Sequence, residues 1–321
     1  MHRRQFLHSC CLAGSVLGIS ACRRHGGKVI GVIPKGRAHL FWQSVHGGAV
    51  KAAREGGAEV LWNGPATETD YAGQLEIVES MINRHVDAIV LAPIDRRVMA
   101  RVVDRASSLK IPVVIFDSGV DTENYISEVA TDNYKAGQTG ADRLAKILGG
   151  AGKIAMVKVQ PGAASTEARE KGFIDQMTAQ YPKIQIVDQR FGMADFAKSL
   201  AISENMINAH PDLDGMFSSN ESSTVGAARA LRARRGRIKL VGFDSSPALL
   251  DDLKQGIIDS LVVQNPFGMG YESVKAALAA LRGEKVPKQQ PMPPLLVTRE
   301  NVDDPAVQAQ LNPDLKPYIG Q

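Results

Sequence analysis

An unbroken apolar run closed by an aspartate, IPVVIFDS at 111–118, returns later in the chain as IKLVGFDS at 238–245. Apolar residues without alternation describe a strand covered on both faces, as in a parallel sheet flanked by helices. Asp117 and Asp244 then stand at the carboxyl ends of their strands, the edge of an open α/β sheet where loops converge and ligands bind. A lone aspartate in that place most simply caps the following turn or helix. Its recurrence in the same phrase points instead to two similar sheets that present one aspartate each to a shared cleft.

The periodicities on either side fit that layout. Strands are expected at 29–33, 59–62, 88–92, 111–117 and 126–130, with helices at 41–55, 71–84 and 97–109 between them. A second series follows: helix 134–148, strand 153–159, helix 166–180, strand 185–189, helix 197–209, strand 215–218, helix 223–232, strand 238–244, helix 247–254 and strand 260–264. Helix 269–281 and strand 295–297 break the order, which reads as a return to the first lobe and one more crossing. The tail, with Pro305, Pro313 and Pro317, reads as loop with one short helix. The expected fold class is α/β, two Rossmann-like lobes of parallel sheet flanked by helices with a ligand cleft between them. The expected division is 28–131 with 265–293 in the first lobe, 132–264 with 294–303 in the second, and 304–321 as tail.

The first 22 residues, MHRRQFLHSCCLAGSVLGISAC, have an apolar run well short of the roughly 20 residues a membrane-spanning helix needs. They read as a signal peptide at 1–21, a lipidated Cys22 and a short tether at 22–27. The ending LGISAC resembles the lipobox of bacterial lipoproteins, and RRQFL resembles a twin-arginine export signal. All three cysteines, Cys10, Cys11 and Cys22, lie in this leader, so the mature fold has no disulfide to draw on and no cysteine metal cluster. The seven histidines are scattered without ligand spacing, and neither metal nor cofactor is expected. The formal charge is +4, and loss of Arg3 and Arg4 leaves about +2, too little to argue for nucleic acid. The arginines at 232, 234, 235 and 237 read as a solvated helix end, favoured by the helix dipole.

The strand-end and loop residues that face the expected cleft are Lys35, His39, Phe41, Trp42, Asp117, Arg169, Phe196, Asn220, Asp244 and Gln264. Carboxylates accept hydroxyl protons, Arg, Asn and Gln supply planar donors and acceptors, and aromatic rings cover the C–H faces of a sugar. Taken singly each has a structural reading, a core aromatic or a surface ion pair. Together they fit the recognition of a small neutral sugar or polyol.

From 28 to about 301 the chain resembles the type I periplasmic binding proteins of ABC importers, in the ribose-binding branch. Its aromatic pair is matched by Phe41 and Trp42, and its first-lobe aspartate by Asp117. The arginine of an AREKGF-like motif falls on Arg169, the aromatic of a DF motif on Phe196, the asparagine after a second-lobe strand on Asn220, the GFD aspartate on Asp244 and the hinge glutamine on Gln264. The resemblance implies a three-stranded hinge near 131–132, 264–265 and 294–295, closure on a sugar and delivery to an ABC permease by a monomer. Ser118 stands where ribose binders typically carry an arginine, and His39 where they carry an asparagine, so the sugar need not be ribose. Lys35 in IPK resembles the start of autoinducer-2 binders, a weaker match than the ribose side.

Three other classes bear on the reading. A glycosidase could use Asp117 and Asp244 as its carboxylate pair, but a general acid needs an apolar pocket. Here Arg169, Asn220 and Gln264 are expected to keep both aspartates ionised, so no enzyme is expected. A sugar-responsive repressor shares the two-lobed fold but begins with a helix-turn-helix, where this chain has a leader. A sensor protein that presents a sugar or an autoinducer-2-like ligand to a chemoreceptor or kinase remains the alternative to import.

Overall fold

The computed structural model describes residues 27–234 and 236–320; the leader, Cys22 and Arg235 lie outside them. The chain builds two six-stranded sheets. In the first sheet β1 (Lys28–Ile33), β2 (Ala58–Trp62), β3 (Ala88–Leu91), β4 (Val113–Phe116), β5 (Ser127–Thr131) and β11 (Gln289–Met292) run parallel in the order β11-β5-β4-β3-β1-β2. The second holds β6 (Gly152–Lys158), β7 (Ile184–Phe191), β8 (Gly215–Ser218), β9 (Lys239–Phe243), β10 (Ser260–Val263) and β12 (Leu295–Thr298). Its order is β12-β10-β9-β8-β6-β7, and only the edge strand β12 is antiparallel to its neighbour. β3, β4, β8 and β10 are buried at every residue, as apolar strands covered on both faces must be. Each sheet has an apolar core on each face.

The chain passes from one sheet to the other three times: between β5 and α4 (Asn133–Ile147), between β10 and α9 (Pro266–Leu281), and between β11 and β12. Two of the helix pairs at the site correspond to one another. α1 (Leu40–Glu55) lies on α9, and α4 on α5 (Ala164–Gln180). Both contacts depend on glycine. A Cβ at Gly48 would lie 1.9 Å from the Phe267 carbonyl oxygen, and one at Gly137 would lie 1.9 Å from that of Arg169. The second approach brings the Arg169 backbone against α4, whose first residue is Asn133.

Some elements differ from the sequence expectation. The expected strand 111–117 shortens to Val113–Phe116 because Asp117 leaves the extended region, with φ of 59°. The expected helix 97–109 starts at Ala100, after turns whose N–H groups at Arg97 and Val98 are taken by Asp95. α9 begins three residues early, because Asn265 caps it and Pro266 suits a first helical position. The tail holds two helices, α10 (Pro305–Leu311) and α11 (Lys316–Ile319), and not one. No helix of the described residues is long and apolar enough to cross a membrane.

Candidate functional site

Asp117 and Asp244 occupy corresponding places in the two lobes. Each backbone N–H bonds to the neighbouring strand, Asp117 to the Val129 carbonyl at 3.0 Å and Asp244 to that of Val262 at 2.9 Å. Each then turns into the left-handed region, at φ of 59° and 66°. Non-glycine residues rarely adopt that conformation, and aspartate tolerates it better than most. The turn sends both side chains into one cleft, lined by Lys35, His39, Phe41, Trp42, Asp117, Arg169, Asn220, Asp244 and Gln264 together with Glu68, Ser165, Thr166 and Glu221.

Lys35 follows β1 and is buried. Its Nζ lies 2.6 Å from Asp117 Oδ2 and donates to Ser165 Oγ of the opposite lobe at 2.9 Å. The first-lobe aspartate is therefore half of a buried ion pair that also touches the second lobe. Ser118 accepts the Ser165 N–H on its Oγ at 3.1 Å. His39, the residue before α1, places Nδ1 2.7 Å from Glu68 Oε1 and Nε2 3.2 Å from the Ala194 carbonyl oxygen across the cleft. Both neighbours are acceptors, so only an imidazolium donates to both. Burial alone would lower His39, but the charge and hydrogen bond of Glu68 outweigh it and raise its pKa to about 9. Burial would likewise raise Glu68, yet His39, Lys35 and the indole N–H of Trp42 hold it at about 2.

The second lobe is arranged differently. Arg169, 1% exposed, lies over the Phe243 ring with Cζ 3.5 Å from the centroid. Its Nη2 donates to Asn133 Oδ1 at 2.8 Å, and Nη1 to the Ser219 carbonyl. Asp244 has neutral hydrogen-bond partners: Gln264 Nε2 donates to Oδ1 at 2.7 Å, and the Glu221 N–H, in the first turn of α7 (Glu221–Leu231), to Oδ2 at 2.9 Å. Gln264 is tied in turn to the first lobe, its Oε1 accepting from Thr131 Oγ1 at 2.7 Å. Burial raises the pKa of Asp244 against the pull of Arg169 and Gln264. The donors expected to keep Asp244 ionised are present, and burial acts against them. The pKa of Glu221 is pushed up to about 7, by burial first, opposed by the His39 charge and the Phe41 N–H and reinforced by Asp244.

Of the residues expected from sequence, Phe196 and Ser118 stand outside this lining. Phe196 starts α6 (Phe196–Ala209), packs against a second-lobe core and meets the His39 ring edge-on at 5.2 Å. Ser118 is spent on Ser165. Glu68, Ser165, Thr166 and Glu221 were not foreseen. Glu68 lies in the polar loop after β2, at the same sheet edge as the other site loops, and that edge was the available signal. Glu221 has the form of an ordinary acid in the first turn of a helix.

Two covered sheets that share a polar cleft, with charged and amide groups contributed by both, have the architecture of a two-lobed small-molecule binding protein. Residues 30–285 match the periplasmic binding protein domain. The chain is 30% identical to the ribose import binding protein of Bacillus subtilis over 263 residues, 81% of this chain and 84% of the relative. A carbohydrate transporter solute-binding protein from Agrobacterium radiobacter, solved in complex with D-arabinose, superposes with a TM-score of 0.87 at 34% identity, over 90% of this chain and 100% of that one. An ABC transporter solute-binding protein from Agrobacterium vitis with bound D-fucose gives 0.86 at 34% identity, over 88% and 100%. The chain belongs to the type I periplasmic sugar-binding proteins of ABC transporters, in the ribose-binding branch.

Proposed function

We propose that this chain is an extracytoplasmic lipoprotein that captures a small neutral sugar or polyol between its lobes and delivers it to an ABC importer. The observation that carries the reading is the pair Asp117 and Asp244, set at equivalent strand ends with the same left-handed backbone and facing one cleft. A sugar there meets acceptors and donors from both sides, so the closed form binds better than the open one and is populated by the ligand. A micromolar dissociation constant corresponds to about 8 kcal/mol, and a hydrogen bond to a charged group contributes roughly 1.5–3 kcal/mol, so a few such contacts suffice. The relatives' ligands, ribose, D-arabinose and D-fucose, are pentoses and a hexose of the size this reading requires.

Thermal-shift screening of the mature protein against pentoses, hexoses, deoxysugars and polyols, followed by calorimetry on the best hit, tests the ligand class. A neutral sugar should raise the melting temperature and be recovered chemically intact. Binding of none of them, or turnover that disappears in Asp117→Asn, counts against the reading. The anchor and the export route rest on the leader alone. Palmitate labelling should be lost in Cys22→Ser, and Arg3→Lys with Arg4→Lys should block export if the twin-arginine route is used.

A further inference from the structure

The charged groups of the cleft can be paired off. Asp117 has Lys35, Glu68 has His39, and the charge that favours ionised Asp244 is that of Arg169. Glu221, which is 4% exposed, has no ion-pair contact of its own and only shares the charge of His39 with Glu68. Five side-chain oxygens or nitrogens are buried with no hydrogen-bond partner among the described residues, and Glu221 Oε2 is the one that belongs to a residue lining the cleft. A buried carboxyl oxygen without a donor is costly, and such a group is retained where something else supplies the donor. Asn220 is already engaged in its own turn: its Oδ1 accepts the Ser223 N–H at 3.0 Å and its Nδ2 donates to Ser222 Oγ at 3.1 Å.

Glu221 is also well fixed. Its N–H bonds to Asp244 Oδ2 at 2.9 Å, which sets the start of α7 beside the second-lobe aspartate. Its carboxyl lies close enough to the backbone N–H of Phe41, in the first turn of α1 on the opposite lobe, for that group to favour its ionised form. That contact forms only when the lobes meet, so the closed cleft is the state that presents Oε2 in this position. Resting on the sugar reading above, we propose that Glu221 is a further ligand-reading residue of the closed cleft, with Oε2 accepting a hydrogen bond from one hydroxyl of the bound sugar.

The test compares wild type, Glu221→Gln and Glu221→Ala by calorimetry. The probes are the tightest binder among D-ribose, D-arabinose, D-fucose, D-tagatose, D-allose and xylitol, and the monodeoxy analogues of that binder. Glutamine keeps the size and an acceptor for the Phe41 N–H while it removes the charge, so the fold is retained. Glu221→Gln should weaken the parent sugar by about tenfold, and Glu221→Ala by at least as much. The analogue that lacks the hydroxyl read by Oε2 should bind wild type and Glu221→Gln equally. Equal weakening of the parent and every analogue would mean that Glu221 only holds α1, and no weakening at all would mean no contact; either result overturns the proposal. A wild type that binds no member of the panel overturns the sugar reading and this proposal with it.

Discussion

Asp117 and Asp244 share a sequence phrase, a backbone conformation and a place in the sheet, yet the two lobes treat their charges in opposite ways. In the first lobe the acids are matched by direct cations, Asp117 by Lys35 at 2.6 Å and Glu68 by His39 at 2.7 Å. In the second, Asp244 is held by the amide of Gln264 and a backbone N–H, and burial pushes both it and Glu221 upward. The geometry of a strand-end aspartate is therefore set by local sequence, and its electrostatics by whatever the opposite elements bring to it. The first lobe supplies a wall of acids already paired with cations. The second keeps carboxyl groups that a ligand's hydroxyls can satisfy.

The contrast is broken most severely by Asp117→Ala. Removing one partner of a buried pair leaves Lys35 with Ser165 Oγ and the more distant charge of Glu68, at a cost of about 3–5 kcal/mol in a denaturant titration. The double variant with Lys35→Met should recover much of that loss. Asp244→Ala should change stability less, because it removes an acid that burial already disfavours.

A pH series separates the lobes next. Glu221 in the folded protein binds its proton up to about 7, above its ordinary 4.5, so the native state holds a proton that the unfolded chain has released. Stability should fall as pH rises from 4.5 to 7, by about 3 kcal/mol at most, and this slope should flatten in Glu221→Gln. His39 behaves in the other sense: raised from 6.5 to about 9, its contribution is complete below 6.5 and is lost as pH climbs through 9. Glu68, depressed from 4.5 to about 2, contributes above 4.5 and loses its contribution as pH falls through 2. His39→Gln should remove the alkaline slope and, by taking away the charge that opposes burial at Glu221, move the Glu221 slope to higher pH. A slope that survives both substitutions would place the titrating groups elsewhere.

The smallest effect expected is that of Ser118→Ala, which removes the acceptor of the Ser165 N–H between the lobes. Closure should weaken by about 1 kcal/mol, seen as a several-fold rise in the sugar's dissociation constant with the first-lobe ion pair intact.

Most of the fold could be read from the chain because apolar periodicity records burial, and burial decides strands and helices here. β11 went unread for the same reason. Gln289–Met292 is polar, contains Pro291 and lies at the edge of its sheet, where neither alternation nor a continuous apolar run is required. In the site, Asp117 and Asp244 were legible through repetition, and Arg169 and Gln264 through the family's motifs. Glu68 and Glu221 were not, since their roles come from residues far away in sequence: Glu68 meets His39 and Trp42 from another loop, and Glu221 meets Phe41 from another lobe. Phe196 stands beside the lining and touches His39, because a DF motif fixes a helix start but not the direction in which the ring turns.

The central claim is that one neutral sugar is held by carboxyl groups from both lobes at once. Calorimetric titration of wild type, Asp117→Asn and Asp244→Asn with the tightest sugar of the screen tests it most directly, since asparagine tolerates the left-handed backbone at both positions. Each substitution should weaken binding by at least about tenfold, or 1.4 kcal/mol, although the two residues lie on opposite sides of the cleft. A folded variant of either aspartate that binds the sugar as tightly as wild type would contradict the account.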